Sequence, residues 1–306
     1  MATRMGGVVM ARVEALPGER FLDLRLGEID HLAARGARVP LWLMTSEATN
    51  DPIREALGAR LADGERGEVA TFEQHVSLRL DPERCLFLED DEAGGAPCPS
   101  VYATGHGDLP DALRDSGLLS RFRARGGKYV WIANLDNLGA TVDAAILGWH
   151  IEHDSTVSVE VVDKLGDDRG GVPVRWRGRR LITEEFRLPK AFDPGRVRVF
   201  NTNTFLVDAA ALGDLSMEWT FVEVEKKIGG RTAVQFERLV GEITAARAAP
   251  RVRAGRPLPA GQGRPSCAAA RKIEGRARAR CSAADGLAPS LARPAATVRS
   301  RRARGG

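Results

Sequence analysis

No stretch of this sequence approaches the roughly 20 consecutive apolar residues that a membrane helix needs. Its first residues, soon followed by Glu14 and Glu19, do not form a signal peptide. A cytoplasmic location without a membrane partner is the expectation. Cysteine is scarce. Cys85, Cys98, Cys267 and Cys281 lack the short paired spacings of a zinc site and the density of a disulfide scaffold, and are expected to be reduced and incidental. Aromatic residues make up 6% of the chain and are missing from its C-terminal tail, as is any hydrophobic period.

What is there divides into two kinds of sequence. Of the 45 basic and 41 acidic residues, 15 basic and 2 acidic ones lie from Arg247 onward, so this tail is net +13 and residues 1–246 are net −9. The tail is almost all Arg, Ala, Gly and Pro and cannot bury enough surface to offset its ordering entropy, so residues 246–306 are expected to be disordered. Clustered Arg attracts phosphate, but without aromatics or a motif a solvated tail, or a stretch translated out of frame, is favoured over a nucleic-acid partner. With 43% hydrophobic residues the chain can hold one large folded domain or two smaller ones, expected over residues 1–245.

Within that domain strand-like and helical stretches alternate, the pattern of an α/β fold with a mostly parallel sheet. RVPLWLMTS predicts a strand. In EATNDPIREALGARLADG, Asn50 or Asp51 can cap a helix that Pro52 starts and Gly64 stops. DLPDALRDSGLLSRFRARGG predicts two short helices ended by Gly126 and Gly127, and KYVWIANLD a buried strand. VDAAILGWHIEHD reads as a helix, STVSVEVVDK, WRGRRLITEEF and GRVRVFNTNTFLVD as strands, WTFVEVEKK as a strand ending in lysines. VQFERLVGEITAAR puts Phe236, Leu239, Val240 and Ile243 on one helical face.

Three places carry chemistry. NLDNLG gathers a carboxylate, two amides and a glycine where a strand leaves the sheet, the position at which open α/β sheets bind ligands. There Asp136 can hold a divalent ion such as Mg2+, which favours carboxylate and phosphate oxygens; equally, the segment reads as a turn whose side chains satisfy its own backbone. GHGD offers Gly105 and Gly107, whose missing Cβ lets a ring or phosphate approach backbone N–H groups, or else it is a tight turn with Asp108 as helix cap. Lys226 and Lys227 can neutralise charge on a phosphoryl group, or are an exposed pair.

Taken in order, these stretches resemble the UTP:glucose-1-phosphate uridylyltransferase family, a relative of the UDP-N-acetylhexosamine pyrophosphorylases, over nearly all of residues 3–245. GHGDLPDALRDSGLLSRFRARGGKYVWIANLDNLGATVD looks like its GHGD, helix and NxDNLGATVD blocks in unbroken succession. PLWLMTSEAT, TFEQ, VEVVDKLGDDRGG, RLITEEFRLP, FNTNTF and EKKIGGRTAVQFERLVGE resemble further blocks in the family's order. The resemblance implies an α/β, Rossmann-like, GT-A type nucleotide-diphospho-sugar transferase: a mixed sheet with helices on both faces. It implies Mg2+-dependent, reversible synthesis of UDP-glucose and pyrophosphate from UTP and glucose 1-phosphate. A UDP-N-acetylhexosamine pyrophosphorylase and an inactive nucleotide-binding fragment are the alternatives.

By the same resemblance, Gly105 and His106 match positions facing the uridine, with Gln74 a further uracil contact. Asn134 and Asp136 match the ribose-side and metal-side positions. Glu184 and Asn203 match positions near the hexose, and Lys164 lies beside the sugar phosphate. Lys226, with Lys227 the alternative, matches the phosphate-neutralising lysine. Of the family's glycine-rich triphosphate loop only the end is recognisable, as Met1 to Gly6, with Thr3, Arg4 and Gly6 on the nucleotide side. Its first strand, two glycines and its C-terminal β-helix have no counterpart here, which puts activity in question.

Overall fold

The computed structural model describes residues 18–61, 68–90, 95–165, 168 and 170–246. In chain order these form α1 (Phe21–Ala34), β1 (Leu41–Thr45), α2 (Glu47–Leu57), β2 (Val69–Glu73), β3 (Val76–Leu78), β4 (Leu88–Glu89), β5 (Cys98–Pro99) and β6 (Val101–Ala103). Then follow α3 (Leu109–Asp115), α4 (Leu118–Ala124), β7 (Tyr129–Ile132), α5 (Ala144–Glu152), β8 (Val157–Asp163), β9 (Gly171–Trp176) and β10 (Arg179–Glu184). The last elements are β11 (Val199–Asp208), α6 (Ala209–Gly213), β12 (Val222–Ile228) and β13 (Arg231–Glu237). Among the described residues no helix is long and apolar enough to cross a membrane.

The fold is mixed α/β, but the sheet is not mostly parallel. Among the described ladders only β1 and β2 run parallel, with Leu41 opposite Val69. β11 lies between β7 and β8 and is antiparallel to both. The hairpins β9–β10 and β12–β13 are antiparallel as well. The reason is local. Arg177 and Gly178 (φ +48° and +79°) and Gly229 and Gly230 (φ +54° and +81°) form two-residue turns with both central residues left-handed, the geometry that matches the twist of an antiparallel pair. WRGRRLITEEF is therefore the end of one strand, a turn and a second strand.

The glycine turn also overturns the helix expected over VQFERLVGEITAAR. Chain reversal at Gly229–Gly230 lays Arg231–Glu237 against β12, from Ile228 opposite Arg231 to Val222 opposite Glu237. Ala233, Val234 and Gln235 are buried there, and only Val240–Ala245 turns, as a single 3-10 segment. Pairing outweighs the helical spacing because it satisfies the backbone and buries three successive residues at once. The start of α2 differs too. Ser46, not Asn50 or Asp51, precedes it, and its N–H donates to Thr49 Oγ1 at 2.9 Å. Pro52 lies inside the helix, which ends at Leu57 before left-handed Gly58 (φ +48°); the expected stop, Gly64, lies outside the described residues.

Two apolar clusters hold these elements. Phe205, Val207 and Ile132 of the central strands pack with Leu113, Leu118 and Leu119 of α3 and α4 and with Leu212 of α6. Leu22 of α1 packs with Leu43, Val69, Ile53 and Leu57 of the β1–β2 unit. Phe205 is wholly buried, so truncating it to Ala would cost about 3–5 kcal/mol. Trp42 meets Phe122 edge to face at 5.5 Å between ring centres, joining β1 to α4.

Candidate functional site

The GHGD turn is held by Arg238, which directly follows β13. Gly107 N–H donates to the Arg238 carbonyl and Arg238 N–H to the Thr104 carbonyl, each at 2.9 Å. A Cβ on Gly105 (φ +96°) would stand 2.7 Å from the Arg238 carbonyl oxygen, and one on Gly107 2.5 Å from the Arg238 carbonyl carbon. The space that these glycines leave on their Cβ side is thus filled by the chain itself. Asp108 does not cap α3. It is fully buried, accepts from Arg238 Nε at 2.7 Å and also from Arg238 Nη2 and Thr104 Oγ1. Arg238 reaches Asp111 at 2.9 Å and lies over the Trp219 ring at 5.3 Å.

Around this anchor several of the sequence-separated candidates meet. Gln74, just past β2, donates from Nε2 to the Gly105 carbonyl at 2.9 Å. His106 Nδ1 accepts the Val240 N–H at 2.9 Å. Burial holds the His106 imidazole below its ordinary range, against the opposing pull of Glu237 and Asp108. A neutral ring that accepts at Nδ1 carries its proton on Nε2, where it is a donor. Glu237 packs beside Gly105, with its Cβ 3.2 Å from where a Gly105 Cβ would be, and pairs with Lys226 Nζ at 3.8 Å. Along β12, Lys226 shares the half-buried face of Val222, Val224 and Ile228, whereas Lys227 shares the exposed face of Glu223 and Glu225. Lys227 Nζ bonds Thr232 Oγ1 at 2.5 Å.

The second group lies at the C-terminal end of β7. Asn134 and Asp136 lie in the turn that follows it, half-buried. Of the two turn readings, Asn137 supports the structural one: its Oδ1 accepts from Gly139 N–H and its Nδ2 donates to Thr204 Oγ1, both at 3.2 Å. Among the described residues the Asp136 carboxylate has no hydrogen bond or ion pair. Beside it, β11 carries an irregularity between Asn201 and Phe205. There Asn203 takes φ +60°, a conformation Asn tolerates better than most residues. Its N–H donates to Asn201 Oδ1 at 3.0 Å and its Oδ1 accepts from Asn201 Nδ2 at 3.1 Å. A bulge of this kind re-aims side chains at a strand end.

Glu184 and Lys164 belong to a third group. Glu184, at the end of β10, lines a cleft of about 120 Å³ with Arg187, Thr220, Leu239, Gly241 and Glu242. Burial pushes its carboxyl above the ordinary range, with Arg187 opposing and Glu185 adding to the shift. Across the sheet it neighbours the FNTNTF strand: a Cβ on Gly171 would lie 3.1 Å from Glu184 Oε1 and 3.7 Å from Asn201 Cβ. The Lys164 ammonium is ion-paired with Glu185, both largely buried. Leu239 and Gly241 of this cleft flank Val240, the residue bonded to His106, so the first and third groups share a wall. Thr3, Arg4 and Gly6 lie outside the described residues.

Among the described residues no cluster of three or more His, Cys, Asp and Glu is arranged to hold a metal ion. Among the described residues Asp136 offers an unengaged carboxylate at the strand end. One or two carboxylates completed by substrate phosphate oxygens is the donor set that Mg2+ takes with nucleotides, so the residues present fit that ion. The sequence reading missed Asp108, Arg238 and Glu237 as parts of the site. The first is inside GHGD and the other two are inside the segment misread as a helix.

A family model described as UTP–glucose-1-phosphate uridylyltransferase matches residues 1–248. The UTP–glucose-1-phosphate uridylyltransferase of Musa acuminata is 32% identical over 240 residues, covering 75% of this chain and 50% of the relative. That of Hordeum vulgare is 31% identical over 242 residues with the same coverage. The chain therefore spans about half the length of the curated relatives it matches. Among solved structures, a variant of Leishmania major UDP-glucose pyrophosphorylase in complex with UDP-glucose superposes with a TM-score of 0.64 at 22% identity, covering 80% of this chain and 58% of that one. A Trypanosoma brucei protein described as a UDP-glucose phosphorylase gives 0.65 at 23%, covering 79% and 57%. These two likenesses speak for the fold, and the match over residues 1–248 for descent: the chain belongs to the UTP–glucose-1-phosphate uridylyltransferase family.

Proposed function

We propose that this chain carries the uridylyl-transfer site of a UTP–glucose-1-phosphate uridylyltransferase, on a GT-A type nucleotidyltransferase domain spanning residues 1–245. The observation that supports this best is a gathering of residues far apart in the sequence. Gln74 bonds the Gly105 carbonyl, Gly105 and His106 lie beside Glu237, and Lys226 pairs with Glu237, while Asn137, next to Asp136, bonds Thr204, next to Asn203.

In this reading a phosphate oxygen of glucose 1-phosphate attacks the α-phosphorus of UTP. The new P–O bond forms as the bond to the β-phosphate oxygen breaks, and pyrophosphate leaves with the electron pair. The protein's part is positioning and charge neutralisation, which is what phosphoryl transfer chiefly requires. Gln74, Gly105 and His106 hold the uracil side, His106 as a neutral donor from Nε2. Asn134 faces the ribose. Asp136 would hold Mg2+, which would supply positive charge to the phosphate oxygens. Lys226 leaves Glu237 for the phosphate. Lys164 approaches the sugar phosphate by exchanging its bond with Glu185, and Glu184 and Asn203 orient the hexose. Thr3, Arg4 and Gly6 take the triphosphate side, and the reaction runs in the cytoplasm.

The test is pyrophosphate release from UTP and glucose 1-phosphate with Mg2+, comparing the full chain with Lys226→Ala and Asp136→Ala and with N-acetylglucosamine 1-phosphate as the competing sugar. Turnover lost in both variants supports the proposal. Faster reaction with the N-acetylated sugar would move the assignment to the UDP-N-acetylhexosamine pyrophosphorylases. UTP binding without turnover in a folded chain would make it a nucleotide-binding relative instead.

A further inference from the structure

The loop that carries Asp136 is held from outside by a helix to which neither the sequence reading nor the proposed mechanism gives a role. On α1, Arg25 and Glu28 are one turn apart and pair at 2.8 Å, with only 11% and 19% of their side chains exposed. Together they engage three main-chain groups of the loop. Arg25 donates from Nη1 to the Ala140 carbonyl at 2.6 Å and from Nη2 to the Asn137 carbonyl. Glu28 Oε1 accepts the Val142 N–H at 2.7 Å.

The opposite side of the loop is fastened by Asn137 Nδ2 to Thr204 Oγ1. Inside the loop the bonds are short-range: Asn137 N–H to the Asn134 carbonyl, Leu138 N–H to the Asp136 carbonyl, Ala140 N–H to the Asn137 carbonyl. Such turns fix local shape but not the placement of the whole loop against the sheet. The guanidinium is suited to that task, because its planar fork takes two carbonyls at fixed separation while the adjacent carboxylate takes an N–H. A lysine has the charge but not the fork.

We propose that Arg25 and Glu28 are positioning residues that hold the Asn137–Val142 segment, and through it the Asp136 carboxylate, in the place where a divalent cation and a nucleoside triphosphate meet it. The inference rests on the uridylyl-transfer reading for the identity of the ligand. Neither residue touches substrate; both act through main-chain atoms next to the Asp136 carboxylate.

The experiment uses the full chain, with Mn2+ as the spectroscopic stand-in for Mg2+ and UTP as the nucleotide. Mn2+ affinity in the presence of UTP is read by the relaxation rate of water protons. UTP affinity without metal is read by calorimetry, and hydrogen–deuterium exchange is followed in peptides covering Asn137–Val142. Arg25→Ala, Arg25→Lys and Glu28→Gln should each weaken Mn2+ binding by about 10-fold or more, the loss usual when groups that orient a metal ligand are removed. Metal-free UTP affinity should change less than about two-fold by the same reasoning, and exchange in the loop should rise. In the Asp136→Ala background the Arg25→Lys change should weaken Mn2+ binding no further.

Arg25→Lys keeps the charge and the aliphatic stem and Glu28→Gln keeps the shape, so the result does not depend on whether Arg25→Ala folds. Wild-type-like Mn2+ affinity in these two variants would overturn the proposal and leave the uridylyl-transfer reading standing. Equal loss of metal-free and metal-dependent binding would also overturn it, reducing the pair to a general structural contact. Failure of the unsubstituted chain to bind UTP with or without Mn2+ would sink the uridylyl-transfer reading, and this inference with it.

Discussion

Asp108→Asn separates two accounts of the GHGD turn by magnitude. As a helix cap, Asp108 would be replaceable: Asn caps about as well as Asp, and even Ala would cost only about 1 kcal/mol. As the buried partner of Arg238 it is not replaceable. The carboxylate is wholly enclosed and accepts two guanidinium N–H groups and the Thr104 hydroxyl. Breaking a buried pair by removing one partner costs about 3–5 kcal/mol. Arg238 keeps Asp111 at 2.9 Å, which places Asp108→Ala near the lower bound, about 3 kcal/mol. Asn conserves the shape and can turn its Nδ2 toward the Thr104 hydroxyl, but it removes the charge that faces the guanidinium, for about 2 kcal/mol. With a urea slope of about 2–3 kcal/mol/M, that lowers the unfolding midpoint by roughly 0.7–1 M. The assay is urea unfolding of the full chain. A midpoint for Asp108→Asn within about 0.2 M of the parent at equal slope would refute the buried-pair account. In a double-mutant cycle, Asp108→Ala with Arg238→Ala should be less damaging than the two costs added, by at least about 1 kcal/mol.

Gly107→Ala should destabilise by about 2–4 kcal/mol, since the added Cβ falls 2.5–2.6 Å from the Arg238 carbonyl carbon and the Leu239 nitrogen and displaces a main-chain hydrogen bond; thermal unfolding checks it, and a parental melting temperature would contradict the packing argument. Lys226→Ala should lower turnover about 100-fold or more while Lys227→Ala stays within about two-fold, because the two lie on opposite faces of β12; steady-state rates decide, and the reverse ranking would move the role to Lys227. Acid should weaken the fold through His106 and His150, both held below the ordinary histidine range chiefly by burial. Below about pH 6.5 the unfolded chain takes up protons that the folded chain resists, so stability is fully present above that value and declines as the pH falls. His150 Nδ1 sits 2.7 Å from Ser158 Oγ, and among the described residues its buried Nε2 has no partner. His150→Gln should therefore flatten the slope of urea midpoint against pH between about 5 and 6.5; an unchanged slope would count against the assignment.

Several features of the candidate site were legible in the sequence because their signals are short-range. The NLDNLG turn follows a strand, and Asp143 accepts from the N–H groups of Ala145 and Ile146 to start α5. The paired glycines at Gly126–Gly127 and Gly229–Gly230 mark chain reversals that no bulkier residue makes as readily. The order of the blocks, from LMTS to the lysine hairpin, indicated the family before any packing was known. The helix expected over VQFERLVGEITAAR failed because apolar spacing in a short segment suits a helix face and a buried strand alike. Only the β12 partner, brought back by the Gly229–Gly230 turn, settles which one forms.

The sequence by itself determined the strands β1, β7, β8, β11 and β12 and the helices α3, α4 and α5, and which polar residues were candidates for nucleotide chemistry, since propensity, capping and glycine geometry act over a few residues. The tertiary structure decided what those residues do to one another. It buried Asp108 against Arg238 across 130 positions, put Lys226 and not Lys227 on the face toward Glu237, and brought α1 against a loop 112 to 115 positions away. Burial, charge pairing and the satisfaction of main-chain groups are properties of neighbours in space, and no local pattern encodes which distant neighbour will arrive.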